Sequence, residues 1–154
     1  MNDIGFMKKA CLLCDRASCG YKTGALAVKN GRTLAKAWNA TLPGEKYCQK
    51  GQCDRHKLKL TKGRDPEVCC AIHAEANLIA QAAARGIKLR GADIYVTTFP
   101  CYICAKSLVQ AQIGRLFYMS NYLGGDAALG LFSAAKIPVE RILEEIVWAK
   151  KSPC

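Results

Sequence analysis

Residues 92–120, ADIYVTTFPCYICAKSLVQAQIGRLFYMS, decide the fold. Ala92 to Thr98 is rich in β-branched and aromatic residues, Pro100 to Gln112 carries apolar residues at helical intervals, and Arg115 to Ser120 returns to a β-rich run. Strands that alternate with helices lie parallel in one sheet, with the helices covering it. The same alternation extends in both directions. Downstream, Asp126 to Ala135 reads as a helix and Val139 to Leu143 as a last strand. Upstream, Ile72 to Arg85 is alanine-rich with apolar residues at helical spacing, and Gly86 stands where a C-terminal cap belongs, so this is a buried helix.

The first third of the chain has a different character. Ile4 to Cys19 has helical spacing and breaks at Gly20, which predicts an opening helix. Gly24 to Lys29 and Thr33 to Trp38 flank Asn30-Gly31, a dipeptide suited to a tight antiparallel hairpin with positive φ at both turn residues. From Asn39 to Val68 the periodicity is lost among Pro43, Gly44, Gly51, Gly63, Pro66 and many charges, which predicts a long excursion on one face. The expected architecture is a three-layer α/β/α sandwich around a mixed central sheet of about five strands, as one domain over residues 1–154.

At 154 residues and 51% hydrophobic, the chain can bury a core without disulfides. It holds no run of about 18 apolar residues, and no apolar stretch follows the lysines near Met1 to Lys9. A soluble cytoplasmic protein with no membrane partner is expected. The net charge of +11, from 23 Lys+Arg against 12 Asp+Glu, draws in anionic ligands such as phosphate-bearing substrates or nucleic acid; alternatively it only serves solubility. Eight of the ten cysteines fall in close pairs (Cys11 and Cys14, Cys48 and Cys53, Cys69 and Cys70, Cys101 and Cys104), which suits either metal thiolates or disulfides. Without an export signal, metal is the better reading.

His73-Ala74-Glu75 and Pro100-Cys101-Tyr102-Ile103-Cys104 supply the chemistry. Each motif opens a predicted helix, where unpaired N–H groups favour anions, so Cys101 and Cys104 ionise readily there. Three residues apart on one turn, the two sulfurs reach one ion, and His73 comes from the neighbouring helix. Three protein ligands leave one tetrahedral position for water, the arrangement of a catalytic zinc, and Glu75 stands ready as the proton carrier. The competing reading is a closed zinc knuckle, but such a knuckle needs no carboxylate.

Together the motifs match H-x-E…P-C-x-x-C, and the chain resembles the cytidine and deoxycytidylate deaminase superfamily, most closely its deoxycytidylate (dCMP) branch. Ala17-Ser18-Cys19, Trp38-Asn39-Ala40, Ile72 to Asn77, Ile94 to Thr97, Phe99 to Lys106, Tyr118, Tyr122 and Leu131-Phe132 carry the likeness. It implies a Zn2+ cofactor, attack at C4 of a cytosine ring, proton transfer by Glu75, and dUMP plus ammonia as products. It also implies substrate contacts at Asn39, Ala74 and Tyr122, and a homo-oligomer, commonly a hexamer. Ala37 and Ala40 stand where the branch commonly has glycines and Trp38 where it has tyrosine, which bears on specificity. Some relatives carry a second, structural zinc. Cys19 and Cys48, with Cys53 and either Cys69 or Cys70, are candidates for it; alternatively they are small buried side chains. His56, Lys57, Lys59, Lys62 and Arg64 form a basic stretch that clamps phosphate or is simply solvated. Two other functions remain open: a nucleic-acid deaminase acting on tRNA through the same metal centre, and a zinc-stabilised binding module without catalysis.

Overall fold

A computed structural model describes residues 2–44, 54–60 and 68–148. Its elements, in chain order, are α1 (Asp3–Leu12), a 3-10 turn (Cys14–Arg16), β1 (Gly24–Lys29), β2 (Arg32–Trp38), β3 (Ala40–Thr41) and α2 (Asp54–Lys57). There follow β4 (Ala71–Ile72), α3 (Ala74–Ala84), β5 (Asp93–Thr98), α4 (Tyr102–Gln110), β6 (Arg115–Ser120), α5 (Gly125–Ala134), β7 (Val139–Arg141) and α6 (Glu144–Val147). Five strands form the central sheet in the order β2-β1-β5-β6-β7. β1 runs antiparallel to β2 and β5, while β5, β6 and β7 are parallel, so the sheet is mixed as expected.

The hairpin turn is Asn30-Gly31, with φ of 52° and 71°, both left-handed. Partners shift from Ala27↔Ala35 to Val28↔Thr33, leaving Leu34 as the extra residue of a bulge. Alternation along β1 and β5 sends their side chains to two cores. On one side Leu26, Val28, Tyr95 and Phe117 pack against Phe6, Met7, Ala10 and Cys11 of α1, with Val147 of α6 beside them. On the other, Ala25, Ala27, Ile94 and Val96 pack against Leu78 and Ala82 of α3, Leu108 of α4 and Phe132 of α5. The result is the three-layer α/β/α sandwich. Alanines on β1, β2 and α3 let that helix lie close to the hairpin.

Among the boundaries that differ from the sequence reading, three have a visible cause. The first helix stops at Leu12, not Cys19, because the Leu13 N–H bonds the Ala10 carbonyl and tightens the chain into the 3-10 turn. Gly24 of β1 then passes so close that a Cβ there would lie 2.0 Å from the Ala10 carbonyl oxygen. Ile72 belongs to no helix; it pairs with Ala40 in the small β3–β4 sheet, and α3 starts at Ala74. Pro100 precedes α4, whose N-cap is Cys101. After β7 the short helix α6 returns the chain to α1. No helix among the described residues is long and apolar enough to cross a membrane.

Candidate metal centre and its cavity

Parallel strands deliver their successors to one end of the sheet, and the crevice at that end is where α/β folds place ligands. Here β5 ends at Thr98 and leads through Phe99 and Pro100 into Cys101, while the β3–β4 pairing brings His73 to the start of α3. His73 and Cys101 are the N-cap residues of α3 and α4, both with extended backbone that turns the side chain outward from the helix start. Asn77 fastens α3 to the hairpin by donating from Nδ2 to the Trp38 carbonyl at 2.8 Å.

The three predicted ligands meet. Cys101 Sγ lies 3.5 Å and Cys104 Sγ 3.6 Å from His73 Nδ1, and all three donor atoms lie within 4.8 Å of one another. A tetrahedral zinc with bonds of ~2.3 Å to sulfur and ~2.05 Å to nitrogen separates such ligands by ~3.6 Å. The donor set therefore fits zinc in chemistry and in spacing. Both cysteines are buried and His73 half-buried. Hydrogen bonds from Cys104 and from the His73 N–H pull the Cys101 thiol down to about 4, and the bond to Cys101 in turn lifts His73 to about 10. The protons held on His73 and Cys104 are those a divalent ion displaces on binding.

Glu75, the first-turn acid of α3, is 4% exposed. Burial raises its carboxyl to about 7 against the opposing pull of its own backbone N–H and of His73. A carboxyl group in that range can both take and give a proton near neutral pH. It lines, with His73 and Cys101, a cavity of about 420 Å³, within the range of small-molecule sites.

The expected substrate contacts all reach this cavity. Ala74 lines it from the start of α3. Tyr122, just beyond β6, is half-buried; desolvation and the nearby Cys101 thiolate push its hydroxyl up to about 12. Asn39 is buried at the end of β2, where Oδ1 accepts from the Thr23 N–H at 2.7 Å and Nδ2 donates to the Tyr21 carbonyl. It thus organises the 21–23 loop, and one N–H and one lone pair of its amide remain for a ligand.

Of the second cysteine set, Cys19 and Cys69 come together. The hydrogen bond from Cys19, then that from His73, lowers the Cys69 thiol to about 4. Cys70 packs in the same small apolar cluster with Cys19 and Ala71. Cys48 and Cys53 lie outside the described residues, and among the described residues only His73, Cys101 and Cys104 group as metal ligands. In the basic stretch, Lys57 and Lys59 are exposed, and Lys57 pairs with Asp54 at 3.0 Å. Lys62, Arg64 and the side chain of His56 also lie outside the described residues. The sequence reading passed over Arg55, which is 8% exposed and lines the cavity. No periodicity marks a lone arginine in a polar loop, and only the fold turns it inward.

The chain is similar to known proteins. Residues 1–120 match the cytidine and deoxycytidylate deaminase zinc-binding region. The ComE operon protein 2 of Bacillus subtilis is 34% identical over 144 residues, covering 92% of this chain and 72% of that protein. The deoxycytidylate deaminase of Enterobacteria phage T2 is 28% identical over 166 residues, covering 82% and 88% of the two chains. Among solved structures, the dCMP deaminase of cyanophage S-TIM5 in complex with dCMP and dUMP superposes with a TM-score of 0.76 at 26% identity, over 92% of this chain and 99% of that one.

Proposed function

The chain belongs to the cytidine and deoxycytidylate deaminase family, and from that premise we propose that it hydrolyses dCMP to dUMP and ammonia. The observation that carries this reading is a buried carboxylate, Glu75, facing the same cavity as a histidine and two thiolates spaced for zinc. Zinc held by His73, Cys101 and Cys104 supplies Lewis acidity and lowers the pKa of water toward about 7.

The chain's own residues do the rest. The Glu75 carboxylate takes a proton from the attacking water and delivers it to N3 of the cytosine ring. A C–O bond forms at C4; Glu75 then takes the second proton from the new C4 hydroxyl and passes it to the amine, the C4–N bond breaks as the carbonyl forms, and dCMP and water become dUMP and ammonia. The upward shift of Glu75 keeps its two protonation states close in energy, which suits a group that must accept and release within one turnover. Tyr122 and Phe99 wall the cavity and hold the base, while Asn39 keeps the 21–23 loop in position and offers its remaining amide groups to the sugar.

The phage relatives named above support dCMP as the substrate, and the cavity's cationic side chains support a phosphate on it. Two further assignments belong to this reading. The contact between Cys19 and Cys69 supports a second, structural zinc completed from the excursion, for which zinc analysis would return two ions per chain. Exposed Ile103, Leu123 and Leu129 on and beside α4 and α5 support a homo-oligomer, expected as a hexamer and checked by sedimentation.

The substrate is tested by ammonia release from dCMP, CMP, deoxycytidine, dCTP and an adenosine-bearing tRNA stem-loop. Preference for dCMP is the expected outcome. Activity confined to the stem-loop keeps the metal chemistry and replaces the substrate, the reading that the +11 charge favours. Zinc binding with no turnover of any of the five favours a binding module.

A further inference from the structure

We propose that Arg55 is the residue that reads the substrate's phosphate and so sets the preference for a nucleotide over a nucleoside, an inference that rests on the mononucleotide reading above. α2 is one turn of helix, held by the Leu58 N–H on the Asp54 carbonyl and the Leu60 N–H on the Arg55 carbonyl, each at 2.9 Å. Asp54 and Lys57 on this turn face water, with side chains 60% exposed, and pair with each other at 3.0 Å. Arg55 points the other way. At 8% exposed it is the most deeply buried Arg or Lys among the described residues, and it lies in the wall of the cavity that holds Glu75 and the metal ligands.

The charge inside the cavity explains why an arginine is useful there. Among the described lining residues Glu75 is the single acid, while Arg55 and Lys22 are the permanent cations. The Tyr122 hydroxyl is within electrostatic reach of the Cys101 thiolate, the Arg55 guanidinium and Glu75 alike. One cavity thus holds the carboxylate and thiolates of the metal centre together with a buried cation in its wall. A guanidinium withdrawn from water gains most from an oxyanion that accepts two of its N–H groups at once, and a nucleotide phosphate is such a partner. Lys22, exposed at the rim, adds a point charge without that geometry.

The experiment compares kcat/KM for dCMP and deoxycytidine in the zinc-loaded wild type, Arg55→Gln and Arg55→Lys, with zinc content and thermal unfolding measured on each. Loss of a charged, two-pronged hydrogen bond predicts that the dCMP-over-deoxycytidine preference falls on the order of 100-fold in Arg55→Gln, through KM more than kcat, and by roughly 10-fold in Arg55→Lys. Inorganic phosphate should compete with dCMP in the wild type and lose that competition in both variants. Arg55→Lys keeps the charge and stem, so a collapse of Arg55→Gln would still leave the test readable. A wild type that prefers dCMP, with variants that keep the preference and the phosphate competition, overturns the role of Arg55 alone. A wild type that treats dCMP and deoxycytidine alike overturns the mononucleotide reading and this inference with it.

Discussion

Glu75 is a carboxylate that the fold buries at a cost, and the cost shows what it is for. Buried at 4% exposure with its carboxyl raised mainly by desolvation, it gives up hydration that a surface acid would keep. Glu75→Gln relieves that cost while removing the proton carrier, so turnover should fall by roughly 10³-fold or more, with zinc content unchanged and thermal stability equal or higher. The ligands behave in the opposite way. Cys101→Ser or His73→Ala should lose zinc, activity and stability together, which metal analysis and calorimetry on the same samples would show. The His-x-Glu and Cys-x-x-Cys positions were legible in the sequence because helix starts fix where such side chains point. Arg55 was not legible, because nothing in a polar excursion says which cation will face inward. Asn39 was half legible: its place at the cavity could be expected, but not that its amide would hold the Thr23 N–H and the Tyr21 carbonyl.

At the scale of elements, the second half of the chain could be read closely because its signals agree. β6 matches its reading, Arg115 to Ser120, residue for residue, and α3 ends where Gly86, at φ 66°, lets the Gly86 and Ile87 N–H groups return to the Ala83 and Ala82 carbonyls. α1 was overrun because Leu13 and Cys14 continue the helical spacing and are buried as helix residues would be. Its true end depends on β1 crossing beneath it, which is a tertiary fact. Gly24→Ala tests that crossing. The added Cβ meets the Ala10 carbonyl, so α1 must shift, and urea unfolding should record a loss of at least ~2 kcal/mol. Phe132 of α5, fully buried and edge-on to Phe99 at 6.2 Å between ring centroids, links that helix to the loop carrying Cys101. Phe132→Ala should cost about 3–5 kcal/mol and loosen zinc as well.

For the whole molecule, one of the two cores packs α3 and α4 on the same face of the sheet, with the N-termini of both at the cavity, while the other seats α1 and α6 on the opposite face. Sequence patterning gave the layers and the mixed sheet, since alternation of strands with helices constrains topology. It could not give the depth of the cavity, which depends on where the turn of residues 54–60 places Arg55. The net charge of +11 acts at this scale too. Long-range attraction of a dianionic substrate is screened by salt, so KM for dCMP should rise between low and physiological ionic strength while that for uncharged deoxycytidine stays nearly flat. With zinc at His73, Cys101 and Cys104 and Glu75 as proton carrier, the proposed reaction replaces the amine of a cytosine nucleotide with oxygen from water. It is tested most directly by incubating the zinc-loaded protein with dCMP in oxygen-18 water and weighing the product. The product should be dUMP carrying one solvent oxygen per molecule, with one ammonia released for each, and neither should come from Glu75→Gln. Unchanged dCMP with the zinc in place, or dUMP formed equally by Glu75→Gln, would contradict it.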